Sequence, residues 1–360
     1  MSSVYGKNLI VSIFGQSHSE AIGVCIDGLP AGKKIDFREL KKFMGRRSPG
    51  KNEYSTKRNE KDDFEVLSGI VNDTTCGAPF AAIIRNMDAR SSDYKEIMDI
   101  PRPSHADFTA QMKYKGAQDI NGGGHFSGRL TAPLCIAGGI CRQMLKHDGI
   151  EIKAHISEIH GIKDSLFDPV NIDMTPLDDG FPVLDKAKGE KMISAIDEAK
   201  KDDDSLGGII ECAICGLPAG IGEPIFDGME NRISSAIFGI PAVKGIEFGN
   251  GFACSKLKGS QNNDGFYIND NKIMTKTNNS GGILGGISSG MPILFRVAIK
   301  PTPSIAKAQD SVSMSKMENT ELVIKGRHDP CIVQRAVPCV EAAAAIAVMD
   351  LYIEYTGRRI

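Results

Sequence analysis

The sequence predicts an α+β fold, and three observations carry that prediction. Strand-like and helix-like segments mix along the chain without the one-to-one alternation that a doubly wound parallel sheet requires. Glycine is abundant, at 39 of 360 residues, and gathers in clusters. The string GLPAG occurs at 28–32 and again at 216–220, each time after an apolar strand-like run.

From the N-terminus, apolar runs at 9–14 and 21–26 read as strands, separated by the polar loop GQSHS and closed by the first GLPAG turn. DFRELKKFMGRR (36–47) reads as a helix, and the hydrophilic stretch 45–63 as a mobile loop carrying Arg46, Arg47, Lys51, Lys57 and Arg58. A strand follows at 80–84. The glycine cluster NGGGHFSG (121–128) precedes a long helical segment at 129–149, then a strand at 150–159 and a helix at 188–202. SLGGII (205–210) leads into a strand at 208–214 and the second GLPAG. A helix at 228–240, a strand at 245–248 beside KGIEFGNGF, the glycine-rich SGGILGGISSG (280–290), a strand at 293–299 and a helix at 334–357 complete the pattern. The repeated pentapeptide reads either as a duplicated strand–turn–helix unit or as one turn solution used twice. No low-complexity linker divides the chain, so one shared core is expected.

Bulk properties exclude several function classes. Formal net charge is −2 and the pI about 6.4, without the basic excess of a nucleic-acid binder. No run of about 18 apolar residues is evident, so no membrane span is expected. No signal-peptide pattern opens the chain, and cytoplasmic residence is expected. Nine irregularly spaced cysteines read as reduced thiols, with CAIC (Cys212–Cys215) as strand core. No HExxH, GxSxG, P-loop or paired CxxC is present, and no metal site is expected.

Several segments share one chemistry: a cation or histidine beside backbone able to donate hydrogen bonds. They are GQSHS with His18, RRSPG with Arg46 and Arg47, IPRPSHAD with Arg102 and His105, NGGGHFSGRLT with His125, Ser127 and Arg129, AIKPTPSI with Lys300 and Thr302, and KGRHDPC with Arg327, His328 and Asp329. Arginine suits bidentate recognition of phosphate and carboxylate, and glycine-rich backbone adds N–H donors. Gathered in one place, these groups suit a small polyanion. His147, His155 and His160 lack such surroundings and receive no role.

In order, GQSHSEAIGVCIDGLPAG, RRSPG, RPSHAD, GGGHFSGR, DSLGG, GLPAGIGEPIFD, KGIEFGNGF, GSQNND, NNSGGILGGISSGMPI, KPTPSI and GRHDPC resemble the chorismate synthase family, in register from about residue 9 to about residue 350. The resemblance implies helices sandwiched between antiparallel sheets, internally duplicated, in a homotetramer, with residues 1–360 as one domain of two pseudo-repeated halves. It implies anti-1,4 elimination of phosphate from 5-enolpyruvylshikimate 3-phosphate to give chorismate, the last step of the shikimate pathway. Reduced FMN is required without net redox change. Whether an external flavin reductase or the protein itself, using NAD(P)H, reduces the flavin stays open at this point.

By motif position, His18, His105 and Asp329 match the family's catalytic groups, with Ser17 and Ser127 as neighbouring hydroxyls. Arg47, Arg102, Arg129 and Arg327 match arginines around the substrate anions and the flavin phosphate. His125, Phe126, Ser127, Gln261, Asn262, Gly285, Lys300, Pro301, Thr302, Pro303, Ser304 and Arg327 match flavin-contacting segments. The chain also departs from the pattern. GESHG is here GQSHS, RPGHAD is RPSHAD with Ser104, and GGGRSSARET is GGGHFSGRLT with His125, Phe126 and Leu130; Glu53 replaces a common basic residue. Loss of the glutamate at 130 removes an expected partner of Arg129. These departures keep two alternatives in view: an active but divergent enzyme, or a flavin- or anion-binding relative without turnover.

Overall fold

A computed structural model describes residues 3–48, 62–86, 99–177, 180–324 and 329–357. Its first half runs β1 (Val4–Tyr5), β2 (Ile10–Gly15), β3 (Ala21–Asp27), α1 (Phe37–Arg47), β4 (Glu65–Ser68), β5 (Ile70–Val71), β6 (Thr74–Thr75), β7 (Phe80–Arg85), α2 (Asp107–Tyr114) and α3 (Thr131–His147). The second runs β8 (Glu151–Ile159), β9 (Ile162–Lys163), α4 (Lys186–Lys201), β10 (Gly208–Cys215), α5 (Met229–Ile237), β11 (Val243–Phe248), α6 (Gly259–Asn262), β12 (Phe266–Asn269) and β13 (Lys272–Thr275). It closes with β14 (Ile283–Leu284), β15 (Ile287–Ser288), β16 (Ile293–Ile299), β17 (Gln309–Ser313), β18 (Glu318–Leu322) and α7 (Val333–Gly357). Every helix and strand expected from the sequence forms, with ends within three residues of the expected ones. The helix α2 and the short hairpins were not anticipated.

Two five-stranded antiparallel sheets, ordered β1-β2-β3-β7-β4 and β11-β16-β10-β8-β9, enclose the long helices. The helices α3 and α7 pack on each other, α3 against β3 and α7 against β8 and β10. Alternate residues of β7 (Phe80, Ala82, Ile84) and of β16 (Ile293, Phe295, Val297, Ile299) turn inward, the two-residue period of a half-covered sheet. Helix starts follow local chemistry. The Asp36 carboxylate accepts from the backbone N–H of Arg38 (2.8 Å) and Glu39 (3.1 Å) to open α1, and Asp185 does the same for Ala187 and Lys188 at α4.

The two GLPAG turns occupy matching places. Gly28 and Gly216 both have left-handed backbone, at φ +83° and +85°. A Cβ at either would lie 2.1 Å from a carbonyl oxygen, that of Asn8 before β2 or that of Gly149 before β8. Glycine is required in both for the same steric reason.

One expectation needs correction. The helix α7 is long and apolar enough to cross a membrane, although no such run was evident from the sequence. Its most apolar window is 89% buried inside the protein, between the sheets. Ala342–Ala345 have no exposure at all, so the helix serves as core. All nine cysteines are free thiols, as expected; Cys212 is buried and Cys215 half-buried, and among the described residues there is no metal-binding cluster.

Candidate active site

The site begins where β2 ends. Gly15 takes φ +95°, and the chain returns through Gln16–Glu20 into β3. Ser19 Oγ lies 2.9 Å from Gln16 N, Gln16 O and Ala21 O, so the serine that replaces a family glycine knits this loop. Ser17 N donates to Gly124 O at 3.0 Å and ties the loop to the glycine run. Gly122 (φ +61°) presents bare backbone to the first histidine: a Cβ there would stand 2.2 Å from His18 Cε1 and 2.7 Å from Ser17 Oγ. A Cβ on Gly123 would stand 3.3 Å from His105 Cε1 and 3.4 Å from its Nε2. His18 and His105, 87 residues apart by number (105 − 18), thus meet on consecutive glycines.

His105 is held from behind. Its Nδ1 is 2.6 Å from Asp107 Oδ1, and Arg102 brackets the same carboxylate through Nε (2.7 Å to Oδ2) and Nη2 (2.8 Å to Oδ1). Burial alone would raise the Asp107 carboxyl, but hydrogen bonds from Arg102 and His105 overturn this and hold it well below the usual range. Arg102, expected to face substrate anions, instead commits its guanidinium to Asp107. The Lys300 ammonium donates to Ser104 O, joining the 300–304 segment to this turn. Ser104 has φ +58°, which explains why a glycine suits this position; a residue with a Cβ there bears roughly 1–2 kcal/mol.

A second cluster gathers around Asp62. Arg47, at the end of α1 and only 2% exposed, donates from Nε (2.9 Å) and Nη2 (2.6 Å) to Asp62 Oδ2, and from Nη1 to Thr131 Oγ1 (3.1 Å). Arg129 Nη1 donates to the other oxygen of Asp62, and Ser48 Oγ donates to Oδ2 at 2.7 Å. Burial pushes the Asp62 carboxyl up, yet the charges of Arg47 and Arg129 prevail and keep it low. Arg335 donates to Asp329 and, through Nε, to Arg47 O at 2.9 Å. Among the described residues, three guanidinium groups (47, 129, 335) meet two carboxylates (62, 329) in a mostly buried setting. Asp62 supplies the partner for Arg129 that the loss of glutamate at 130 had put in doubt. Leu130 packs against the core. Arg46 is engaged elsewhere, in a bidentate pair with buried Glu341 at 2.7 and 2.8 Å.

Other expected site residues divide. His125 has both ring nitrogens engaged within the chain, Nδ1 with Gly15 O (2.7 Å) and Nε2 with Ser3 Oγ (2.6 Å), so it straps the N-terminal segment to the loop that carries His18. Ser127 Oγ accepts from Arg129 N (3.3 Å), and Phe126 is 39% exposed beside Tyr114. Along the next segment, Thr302 O accepts from Ser205 Oγ (2.7 Å), Pro301 packs by Gly207, Pro303 separates them from Ser304, and Ser304 is buried. The Gln261 side chain accepts from Lys258 N at the start of α6. Asn262 lies by Asn250 and Asn279, and Gly285 sits between β14 and β15 at φ +62°. The described contacts of these last three residues stay in their own neighbourhood. Arg327 and His328, with Lys51, Glu53, Lys57, Arg58 and most of the 45–63 stretch, lie outside the described residues.

Three contributors went unassigned from sequence. Asp107 stood inside a quoted motif, two residues after His105, and that spacing was its signal. Asp62 lies near the end of a run of charged residues and nothing local separates it from Asp63; Arg335 sits in an apolar helical stretch.

With this geometry in hand, likeness to known proteins decides the family. The chorismate synthase family profile matches residues 9–353. The chain belongs to the chorismate synthase family. It is 46% identical to a chorismate synthase of Dehalococcoides mccartyi over 98% of this chain and 96% of the relative. It is 44% identical to that of Korarchaeum cryptofilum over 96% of each. A crystal structure of chorismate synthase superposes with a TM-score of 0.77 at 26% identity, covering 98% of this chain and 94% of that one. Chorismate synthases are phosphate-eliminating carbon–oxygen lyases acting at the last step of the shikimate pathway, and the α+β architecture with helices between antiparallel sheets is theirs. The divergent motifs at 16–19 and 125–130 therefore lie within an otherwise continuous chorismate synthase chain.

Proposed function

We propose that the cleft at Gly122–Gly123 converts 5-enolpyruvylshikimate 3-phosphate to chorismate, with His18 and His105 as the proton-handling groups. The observation that carries this reading is their convergence on adjacent glycines. Imidazole titrates near neutrality and suits proton delivery to a departing phosphate. Arg47 and Arg129, held by Asp62, with Arg335 and Arg327, supply positive charge for the phosphate and the two carboxylates. Arg102 acts through His105. Ser17 and Ser127 are read as hydroxyls that relay protons, and Asp329, which accepts from Arg335, as the carboxylate beside the flavin.

The residues fit the reduced FMN that the family's reaction requires. The Thr302 hydroxyl is buried with no hydrogen-bond partner among the described residues, an orphaned polar atom in the segment that matches the family's flavin contacts. Phe126, Ser127, Gln261, Asn262, Gly285, the 300–304 segment and Arg327 would hold the cofactor. His125 would act through the loop it straps. When bound, reduced flavin supplies electron density as phosphate leaves and recovers it as the hydrogen departs.

The test is anaerobic turnover with reduced FMN, following chorismate by absorbance and phosphate by release. Purified protein is expected to form both in equal amounts. His18→Ala and His105→Ala should each lose about 10²-fold in rate. Phosphate-free incubation mixtures would overturn the reading, as would near-normal turnover in both variants.

The chain also reads as one domain of two pseudo-repeated halves. The order β2-β3-α1-β4-β7-α3 is matched by β8-β10-α5-β11-β16-α7, and the sheet orders β2-β3-β7-β4 and β8-β10-β16-β11 correspond. A homotetramer in the cytoplasm completes the reading. Its support is a set of large apolar side chains left exposed on one copy: Phe226 at 85%, Phe252 at 84% and Ile268 at 77%. Flavin reduction falls either to the protein itself, using NAD(P)H, or to an external reductant; anaerobic bleaching of FMN by NADPH with this protein alone separates the two.

A further inference from the structure

We infer that Asp107, braced by Arg102, is a positioning residue that fixes the tautomer of His105, so that Nε2 is the atom that handles protons in the cleft. The inference rests on the reading of His105 as catalytic and adds how that ring is set.

Local backbone brings the three side chains together. Ser104 in the left-handed region turns the chain, His105 N donates back to Arg102 O at 3.2 Å, and Asp107 opens α2. Arg102, His105 and Asp107 thereby stack on one side of a single turn, with side chains 8%, 17% and 10% exposed.

The donor inventory decides the tautomer. Guanidinium can only donate, and an ionised carboxylate can only accept. His105 Nδ1 lies 2.6 Å from Asp107 Oδ1 and 3.0 Å from Arg102 Nη2. An unprotonated Nδ1 would suit Arg102 but would set a lone pair against the carboxylate at the shorter distance. A protonated Nδ1 satisfies Asp107, and Arg102 loses nothing, because both carboxylate oxygens receive its Nε and Nη2 at 2.7 and 2.8 Å. Arg102 N also donates to Oδ2, at 3.1 Å. A carboxylate with this many donors stays ionised, which keeps it an acceptor throughout. The proton on Nδ1 leaves Nε2 as the exchanging atom, and Nε2 is the nitrogen nearest the Gly123 face. An imidazole whose far nitrogen is pinned to a carboxylate is both oriented and stabilised when it gains charge, the logic of a Ser-His-Asp array.

The test joins NMR to kinetics. In ¹⁵N-histidine-labelled protein without added flavin, neutral His105 is expected as the Nδ1–H tautomer. In Asp107→Asn that share should fall. With reduced FMN, and assayed well below its melting temperature, the same variant should lose about 10²-fold in kcat, with KM within about twofold. Arg102→Lys keeps a cation without the two-point bracket and should lose less, moving the tautomer ratio the same way. An Nε2–H tautomer in the wild-type protein would overturn the inference even if the variants fail to fold. Normal kcat in Asp107→Asn, with His105→Ala inactive, would also overturn it while sparing the catalytic role of His105. Normal kcat in His105→Ala would instead remove that role itself.

Discussion

At the scale of single residues, the site depends on what is missing as much as on what is present. Gly122 has no side chain where one would strike the His18 ring, and its φ of +61° further penalises any replacement. Gly122→Ala is therefore expected to lose at least about 10²-fold in kcat/KM, as removal of a general acid–base group does. Gly128→Ala, with no atom within 4 Å of the new Cβ, should stay near wild type. Equal rates in the two variants would show that the first glycine is not a contact surface. Asp62 presents the converse case. Its removal leaves Arg47, almost wholly buried, without a counter-charge. Asp62→Ala should cost about 3–5 kcal/mol in urea unfolding, the scale of breaking a buried ion pair. A change under about 1 kcal/mol would mean that water reaches the cluster. At this scale the sequence was legible where a motif carried the residue: His18 and Ser17 lie against Gly122, and His105 against Gly123, all from quoted strings. It was illegible for Asp62, because burial is a property of the fold and an aspartate in a charged run resembles any solvated one.

At the scale of elements, two helices and two strands show how packing sets both stability and its pH dependence. A Cβ on Gly138 of α3 would lie 2.3 Å from both Cα and Cβ of Ala342 on α7, so the two helices touch almost backbone to backbone. Gly138→Ala would have to part them and should destabilise by about 1–3 kcal/mol. Gly259→Ala, open on all sides, is the control in the same denaturation series. On the second sheet, His155 of β8 lies across from Glu211 of β10, with Nε2 3.0 Å from Glu211 Oε2 and Nδ1 3.3 Å from Asp164 Oδ2. Burial alone would lower this imidazole, but its hydrogen bonds to the carboxylates of Asp164 and Glu211 prevail and raise it above its ordinary value of 6.5. A raised folded value stabilises the protein fully below about 6.5, and that contribution fades as pH climbs through the folded value. Unfolding free energy is thus expected to decline as pH rises above about 6.5, and His155→Gln should flatten the decline. An identical slope in the variant would assign the effect to other groups. The sequence showed His155 only as a histidine without polar neighbours; Glu211 and Asp164 reach it through strand pairing and a returning loop, which no local string encodes.

At the scale of the whole molecule, the described surface leaves Phe226, Phe252 and Ile268 almost fully exposed, and burying each in an assembly would contribute roughly 1.5–3 kcal/mol. If the proposed homotetramer buries these side chains, Phe226→Asp with Ile268→Asp lowers the mass read by size-exclusion chromatography with light scattering, while the chains keep their secondary structure. An unchanged mass would put the interface elsewhere. The mixed helix and strand order, the positions of the long elements, the paired GLPAG turns and the family follow from the sequence itself, because apolar periodicity and left-handed glycines are written locally. Tertiary structure alone decided that Arg102 serves His105, that Arg129 finds its counter-charge in Asp62, and that the most apolar helix is core. Each depends on which distant groups share a low-dielectric interior, where a charge must find its partner and an apolar face must find cover.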